Sequence, residues 1–244
     1  MHEKKAKIVS LVPSWTETLL EAGVSVAGRT QFCIHPAELI RGIPAVGGTK
    51  NLRIDEIIAL KPDFVILDKE ENNAAMADAL WAAKIETLVS HVSGIDSAAD
   101  FLEILAVQTG NSVLNEYALR YRNLPKLSQK KFLDIVLLDQ NCEPDFGCYD
   151  YVIWKNPFMV IGQDTFIADV FKRVGLDLHR AAKYPKIDPN ELQKSFCLFS
   201  TEPYPFAKDF ESLTREGFRG ALIDGEKISW YGIRNLKFLE LCAE

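Results

Sequence analysis

The sequence predicts an α/β protein of two Rossmann-like lobes, each built on a mainly parallel sheet, joined by a single long helix. Three observations carry this. Apolar, β-branched runs alternate with helical patterns through residues 7–89, as in parallel β-α-β units. A second series of the same kind fills residues 132–242. Between them, Ser97 to about Leu124 has helical spacing and no strand. The expected division is 1–110 for the first lobe, 111–125 for the connecting helix and 126–244 for the second lobe. A chain of 244 residues, 48% hydrophobic, is long enough for two cores of about 100 residues each.

Taken in order, Lys7–Val12 reads as a buried strand ended by Pro13. Ser14-Trp15-Thr16-Glu17 has capping-box spacing, so Ser14 is expected to cap a helix and Glu17 to reach back. That helix should run to Ala22, with Gly23 as its stop. A second helix is expected over 52–61, with Ile54, Ile57 and Ile58 on one face and Pro62 beyond its end. Asp63–Leu67 is the next buried strand. Asn72 and Asn73 can cap a helix carrying Met76, Leu80 and Trp81, and Glu86–Val89 is the strand after it. In the long helical stretch, Phe101, Ile104, Leu105, Val113, Leu114, Tyr117 and Tyr121 recur at three and four, with a break at Gly110-Asn111. Its second piece, Asn111 to Leu124, would span about 21 Å at a rise of about 1.5 Å per residue, a fit to a rigid connector. The second series opens with the strand Phe132–Leu138, then a loop bearing Cys142 and Cys148, then Tyr151–Trp154. Gln163-Asp164-Thr165 starts a helix with Phe166, Val170, Phe171 and Val174 inward and Gly175 as stop. Asp188-Pro189 starts another. Phe196–Phe199 reads as a strand, Phe206–Thr214 as a helix, Ala221–Ile223 as a strand and Trp230–Cys242 as a final helix.

Bulk properties exclude several classes. The formal charge is −6, with no basic run, so a phosphate backbone is a poor partner and no nucleic acid is expected. The positive N-terminus precedes too short an apolar run for a signal peptide, and nothing approaches the roughly 20 apolar residues of a membrane span. As it stands the sequence is expected in the cytoplasm without membrane insertion; a periplasmic location would require a leader already removed. The five cysteines are odd in number and lack C-x2-C spacing, so reduced thiols are expected, although Cys142 and Cys148 could bridge in an oxidising compartment.

The four histidines form no metal-binding pattern, and no nucleophile elbow, P-loop or G-x-G-x-x-G occurs. Gly47-Gly48-Thr49-Lys50 lacks full phosphate-loop spacing and reads as a turn. No catalytic residue, metal ligand or cofactor is therefore assigned, and no enzyme is expected. What stands out is a set of large rings at strand ends and loops, where open α/β sheets bind ligands: Trp15, Phe32, Trp154, Tyr184, Tyr204, Trp230 and Tyr231. Rings bury much area at low conformational cost, which suits a bulky, partly apolar ligand.

The same positions carry a resemblance that runs from Lys7 to about Phe238. IVSLVPSWTETLLEAG, GRTQFCIHP, VGGTKNLRIDEIIALKPDFVIL, KEENN, IWKNPFMVIGQDTFI, STEPYPF and DGEKISWYGIR resemble the helical-backbone periplasmic binding proteins, the cobalamin and ferric-siderophore receptors of ABC importers. The later pieces are similar to a leaderless branch called helical backbone metal receptors. The resemblance implies a class III periplasmic binding protein fold, with an aromatic-lined cleft between lobes closing on a corrinoid or metal chelate. By position Phe32 and Trp154 correspond to rings that hold the corrin, and Tyr184 falls where those receptors place a tryptophan. Trp15 and the Trp230-Tyr231 pair are expected on loops facing the same cleft. His35, Lys50, Glu71, Glu202 and Arg234 are the polar candidates. Their structural alternatives are a loop histidine beside Pro36, a solvated helix start for Glu70 and Glu71, and a salt bridge for Arg234. The resemblance also implies an importer permease as partner, docked through one glutamate per lobe. Here those positions fall on Ala74, after Glu70 and Glu71, and near Asn190 or Glu191. The competing expectation is a cytosolic metal-handling protein or enzyme on the same scaffold, using His35 and a cleft carboxylate.

Overall fold

Two consecutive β-α units are the simplest way to bury runs as apolar as Ile8-Val9 and Phe64–Leu67 on both faces, and the chain does this twice. The computed structural model describes residues 6–139 and 143–244. These fall into two compact units. The first comprises the chain to Val92, Asp96–Asn123 and Tyr231–Leu236; the second comprises Ser93–Ile95, Leu124–Trp230 and Lys237–Glu244.

In unit 1, β1 (Ile8–Ser10), β2 (Val26–Arg29), β3 (Phe64–Asp68) and β4 (Thr87–Ser90) form a parallel sheet in the order β2-β1-β3-β4. β2 was missed by sequence reasoning: it is four residues long and contains a glycine, so its apolar signal is weak. α1 (Pro13–Glu21) follows β1. The expected capping box is overturned. Pro13 occupies the first turn, the N-cap is Val12 with no side-chain cap, and Ser14 lies inside the helix. Gly23 ends α1 at φ +75°. α2 (Ile54–Leu60) and α3 (Ala74–Ala82) complete the crossovers. Asn73 caps α3 by accepting from the Met76 amide at 3.0 Å. Val9, Leu11, Ile57, Val65, Leu67, Met76 and Leu80 make this unit's core.

α4 (Ile95–Thr109) and α5 (Ser112–Arg122) break at Gly110, φ +65°. Asn111 caps α5 and its side chain donates to Ala22 O at 3.0 Å, so the segment expected as a connector is tied into unit 1 from its first residue.

Unit 2 begins with α6 (Gln129–Phe132) and β5 (Ile135–Leu137), so Phe132 ends a helical turn and does not open the strand. It is buried against Phe171 and Phe238. The sheet also contains β6 (Tyr149–Trp154), β7 (Met159–Val160), β8 (Phe196–Ser200) and β9 (Arg219–Ile223) in the order β5-β9-β8-β6-β7. β6, β8 and β9 are parallel, and both edges run antiparallel. α7 (Phe166–Arg173), capped by Thr165, α8 (Pro189–Leu192) and α9 (Phe210–Arg215) connect them. α10 (Gly225–Ser229) follows β9, and the final helix expected over Trp230–Cys242 is α11 (Ile233–Leu241), which starts three residues later, after Gly232 at φ +88°. Cys142 lies outside the described residues, and so does its suggested bridge to Cys148. Among the described residues no helix is long and apolar enough to cross a membrane.

Candidate ligand-binding faces

Parallel strands bring their C-terminal ends to one edge of a sheet, and the loops leaving that edge form its natural ligand face. In unit 1 the edge residues are Ser10, Arg29, Asp68 and Ser90. Asp68 is buried and organises the loop after β3: its Oδ1 accepts the amides of Glu70 at 2.9 Å and Glu71 at 3.3 Å. Its Oδ2 accepts the Ser90 hydroxyl at 2.7 Å. Ser90 Oγ in turn accepts Trp15 Nε1–H at 2.9 Å. The Tyr231 hydroxyl donates to Glu71 Oε1 at 3.4 Å. Lys50, exposed in the turn before α2, donates to Glu70 O at 3.0 Å.

These contacts set the electrostatics. Burial pushes the Glu71 carboxyl up to about 7, the neighbouring Asp68 carboxylate adds to this, and Tyr231 and Lys50 oppose it. Burial also drives the Tyr231 hydroxyl far above its ordinary value, helped by Glu71 and Asp68. The Cys33 thiol is buried and raised, although Thr16 and Thr30 hydroxyls at 3.1 Å partly offset this. It is a packed side chain rather than a reactive one.

The sequence-derived candidates divide sharply. Trp15 was expected on a loop facing the ligand and is not on a loop. It lies within α1, fully buried, between Phe101 and Tyr231 with ring centroids 4.9 Å from each. Tyr231 is buried as well. Arg234 forms a forked ion pair with Glu17, the salt-bridge alternative. Phe32 remains 51% exposed in the loop after β2, and His35 lies half-buried farther along it. The Gly47–Lys50 segment is a turn: the Gly48 amide donates to Asn51 O at 2.8 Å, and Gly47 has φ +123°.

In unit 2 the corresponding edge carries Trp154, the last residue of β6, and Glu202, two residues beyond β8, whereas Trp230 follows α10 and is half-buried. Trp154 is 42% exposed and meets Tyr204 edge-on at 5.7 Å. Tyr204 donates to Asp209 Oδ2 at 2.8 Å, which fixes its ring. Glu202 is half-buried, and its carbonyl accepts from Ser200 Oγ. Tyr184 is 42% exposed in the stretch that pairs with β7 through Lys186. Near the second expected docking position, Glu191 pairs with Arg180, which also grips the buried Asp150 carboxylate at 2.8 and 3.0 Å. Sequence reasoning missed Asp68 and Ser90 as organisers. Their signal is a polar residue closing an otherwise apolar strand, as in Phe64–Asp68. Among the described residues no three His, Cys, Asp or Glu side chains converge as a metal site.

No family model matches the chain. Among curated relatives, the vitamin B12-binding protein of Salmonella paratyphi A is 28% identical over 137 residues, covering 52% of this chain and 51% of that protein. Its counterpart in Salmonella typhimurium is 27% identical over 121 residues, covering 46% and 45%. The chain thus aligns with about half the length of the curated relatives it matches. Solved structures align over nearly all of it. The periplasmic vitamin B12 binding protein of Vibrio cholerae superposes with TM-score 0.70 at 17% identity, over 98% of this chain and 95% of that one. A periplasmic heme binding protein from Pseudomonas aeruginosa superposes with TM-score 0.73 at 17% identity, over 97% and 90%. A possible iron-binding periplasmic protein from Staphylococcus epidermidis gives 0.69 at 18% identity, over 98% and 97%. The fold is that of the class III periplasmic binding proteins, and the resemblance drawn from the motifs to helical-backbone receptors holds.

Proposed function

We propose that this chain is a binding receptor for a large, flat, metal-bearing organic ligand, a corrinoid or a metal chelate, and that it performs no chemical step on it. The observation that carries the reading is Phe32 on unit 1 and Trp154 on unit 2. Each is a large ring left about half exposed at or just beyond the C-terminal end of a strand, Phe32 in the loop after β2 and Trp154 closing β6. Most other rings are buried, so exposing these costs solvation that a ring-stacking ligand would recover. Trp154 is also held edge-on by Tyr204, so little conformational freedom is left for a ligand to freeze. Relatives named for vitamin B12 and structural neighbours named for heme and iron support the ligand class. Delivery to an importer permease belongs to the same reading.

Titration of the protein with cyanocobalamin, hemin and a ferric chelate, followed by tryptophan fluorescence, tests it. Saturable one-to-one quenching by at least one of them is expected. Flat titrations with all three would remove the ligand class.

A further inference from the structure

Within unit 1, Asp68 and Glu71 share a single phenol hydroxyl. Glu71 Oε1 lies 3.4 Å from Tyr231 Oη, and the same hydroxyl neighbours the Asp68 carboxyl. Asp68 already accepts the Ser90 hydroxyl at 2.7 Å and the amides of Glu70 and Glu71 at 2.9 and 3.3 Å. Tyr231 carries one hydroxyl proton and can donate it to one carboxyl. With both acids ionised, one carboxylate oxygen faces the phenol oxygen with no proton between them. With Glu71 protonated the count closes: Glu71 donates to Tyr231 Oη, and Tyr231 donates to Asp68.

The surrounding charges lean the same way. Asp68 from β3, Lys50 from the turn before α2, Tyr231 from the segment before α11 and the Cys33 thiol from the loop after β2 all face Glu71. Glu70, beside it, is 3.9 Å from His91 Nε2 beyond β4. Arg234 on α11 is held by Glu17. Lys50 is exposed, so water screens its charge, whereas Asp68 acts on Glu71 from a buried position. Burial and Asp68 therefore outweigh Lys50 and Tyr231, and the Glu71 carboxyl sits near 7.

We propose that ligand capture at this face is proton-linked through Glu71: the neutral acid is the binding form, and its ionisation weakens the complex. This rests on the receptor reading above. A ligand lying over the face takes water away from Glu71 and further raises the cost of its charge. An anionic chelate also meets direct repulsion once Glu71 and Asp68 are both ionised. Binding in either case draws a proton onto Glu71.

The test is the affinity of the full chain for cyanocobalamin, hemin and ferric citrate, measured calorimetrically from about pH 5.5 to about pH 8.5. Whichever ligand binds should lose up to about tenfold in affinity per pH unit above the midpoint, with close to one proton taken up on binding. Glu71→Gln should bind with a flat profile, at the strength of the unsubstituted protein's acid limit. Lys50→Met, at an exposed position, removes a charge that favours the carboxylate and should move the midpoint to higher pH. It carries the test by itself if Glu71→Gln does not fold. A flat profile in the unsubstituted protein, an equal slope in Glu71→Gln, or an unmoved midpoint in Lys50→Met would overturn the proton link and leave the receptor reading standing. No binding of any of the three at any pH would remove the receptor reading and the proton link together.

Discussion

Glu17 and Arg234 stand 217 residues apart and meet in a two-pronged ion pair, Arg234 Nε to Glu17 Oε2 and Nη2 to Oε1, each at 2.8 Å. The fork matches the two carboxylate oxygens, and the side chains are only 22% and 10% exposed. Deleting either partner takes the forked ion pair away from a largely buried charge. Glu17→Ala and Arg234→Ala should each lower the unfolding free energy by about 2 kcal/mol, and the double variant should cost less than their sum. Urea denaturation of the four proteins measures this. Strictly additive losses would show that the pair contributes no coupling.

Trp15 fills the centre of the same unit, with Nε1 donating to Ser90 and its ring between Phe101 and Tyr231. Trp15→Phe keeps a ring but loses the donor and part of the volume. A loss of about 2 kcal/mol in stability is expected, with ligand affinity changed by less than about twofold because the ring is fully enclosed. A large affinity loss at unchanged stability would make Trp15 a ligand contact after all.

Phe32 and Trp154 should behave oppositely. Both are about half exposed, so Phe32→Ala and Trp154→Ala should leave the melting temperature nearly unchanged. Each should weaken corrinoid or chelate binding by about tenfold or more, as anchoring rings do. Thermal melts and fluorescence titrations on the same preparations separate the two effects. If affinity holds in both variants, the rings are surface features without a binding role.

Strand and helix order was legible because the apolar runs at Ile8-Val9, Phe64–Leu67 and Phe196–Phe199 are buried on both faces and so stand out without alternation. Local punctuation was legible where one residue suffices, as at Gly23, Asn73, Gly110 and Thr165. What sequence could not give was long-range partnership. Ser14-x-x-Glu17 is a sound capping pattern, yet Pro13 started the helix earlier and Arg234 claimed the glutamate. Aromatic identity likewise says nothing of exposure: Trp15 and Trp154 look equally suited to a ligand, and burial separates them. The Asp68–Glu71–Tyr231 cluster joins residues far apart in the chain, so no spacing could reveal it.

Gly232 immediately precedes α11, at φ +88°. Its amide donates to Tyr121 Oη at 3.1 Å, and its carbonyl accepts the same hydroxyl's proton at 2.7 Å. An added Cβ would press on Thr18 Oγ1 and approach the Trp15 ring at 3.4 Å. Thr18 cannot easily yield, because that oxygen accepts the Ile233 amide at 3.0 Å. Gly232→Ala combines backbone strain with a clash and should cost about 3 kcal/mol. A variant as stable as the unsubstituted protein in urea would show that this segment relaxes freely.

Glu71 gives stability a pH dependence whose sign follows from burial. The folded protein holds its proton up to about 7 against an ordinary value of 4.5, so between those values the folded state binds more protons than the unfolded chain. Stability falls as pH rises wherever the folded state is the more protonated. The Glu71 contribution is therefore full below the unfolded value and is lost as pH climbs through the folded one. At about 1.4 kcal/mol per pH unit the change is at most about 3.5 kcal/mol. Glu71→Gln removes the titrating group and the repulsion with Asp68 while keeping a donor for Tyr231. It should be more stable than the unsubstituted protein at about pH 8 and should show no advantage at about pH 5. Denaturation midpoints at the two pH values decide it. An advantage of equal size at both would mean that packing, and not ionisation, is what the substitution changes.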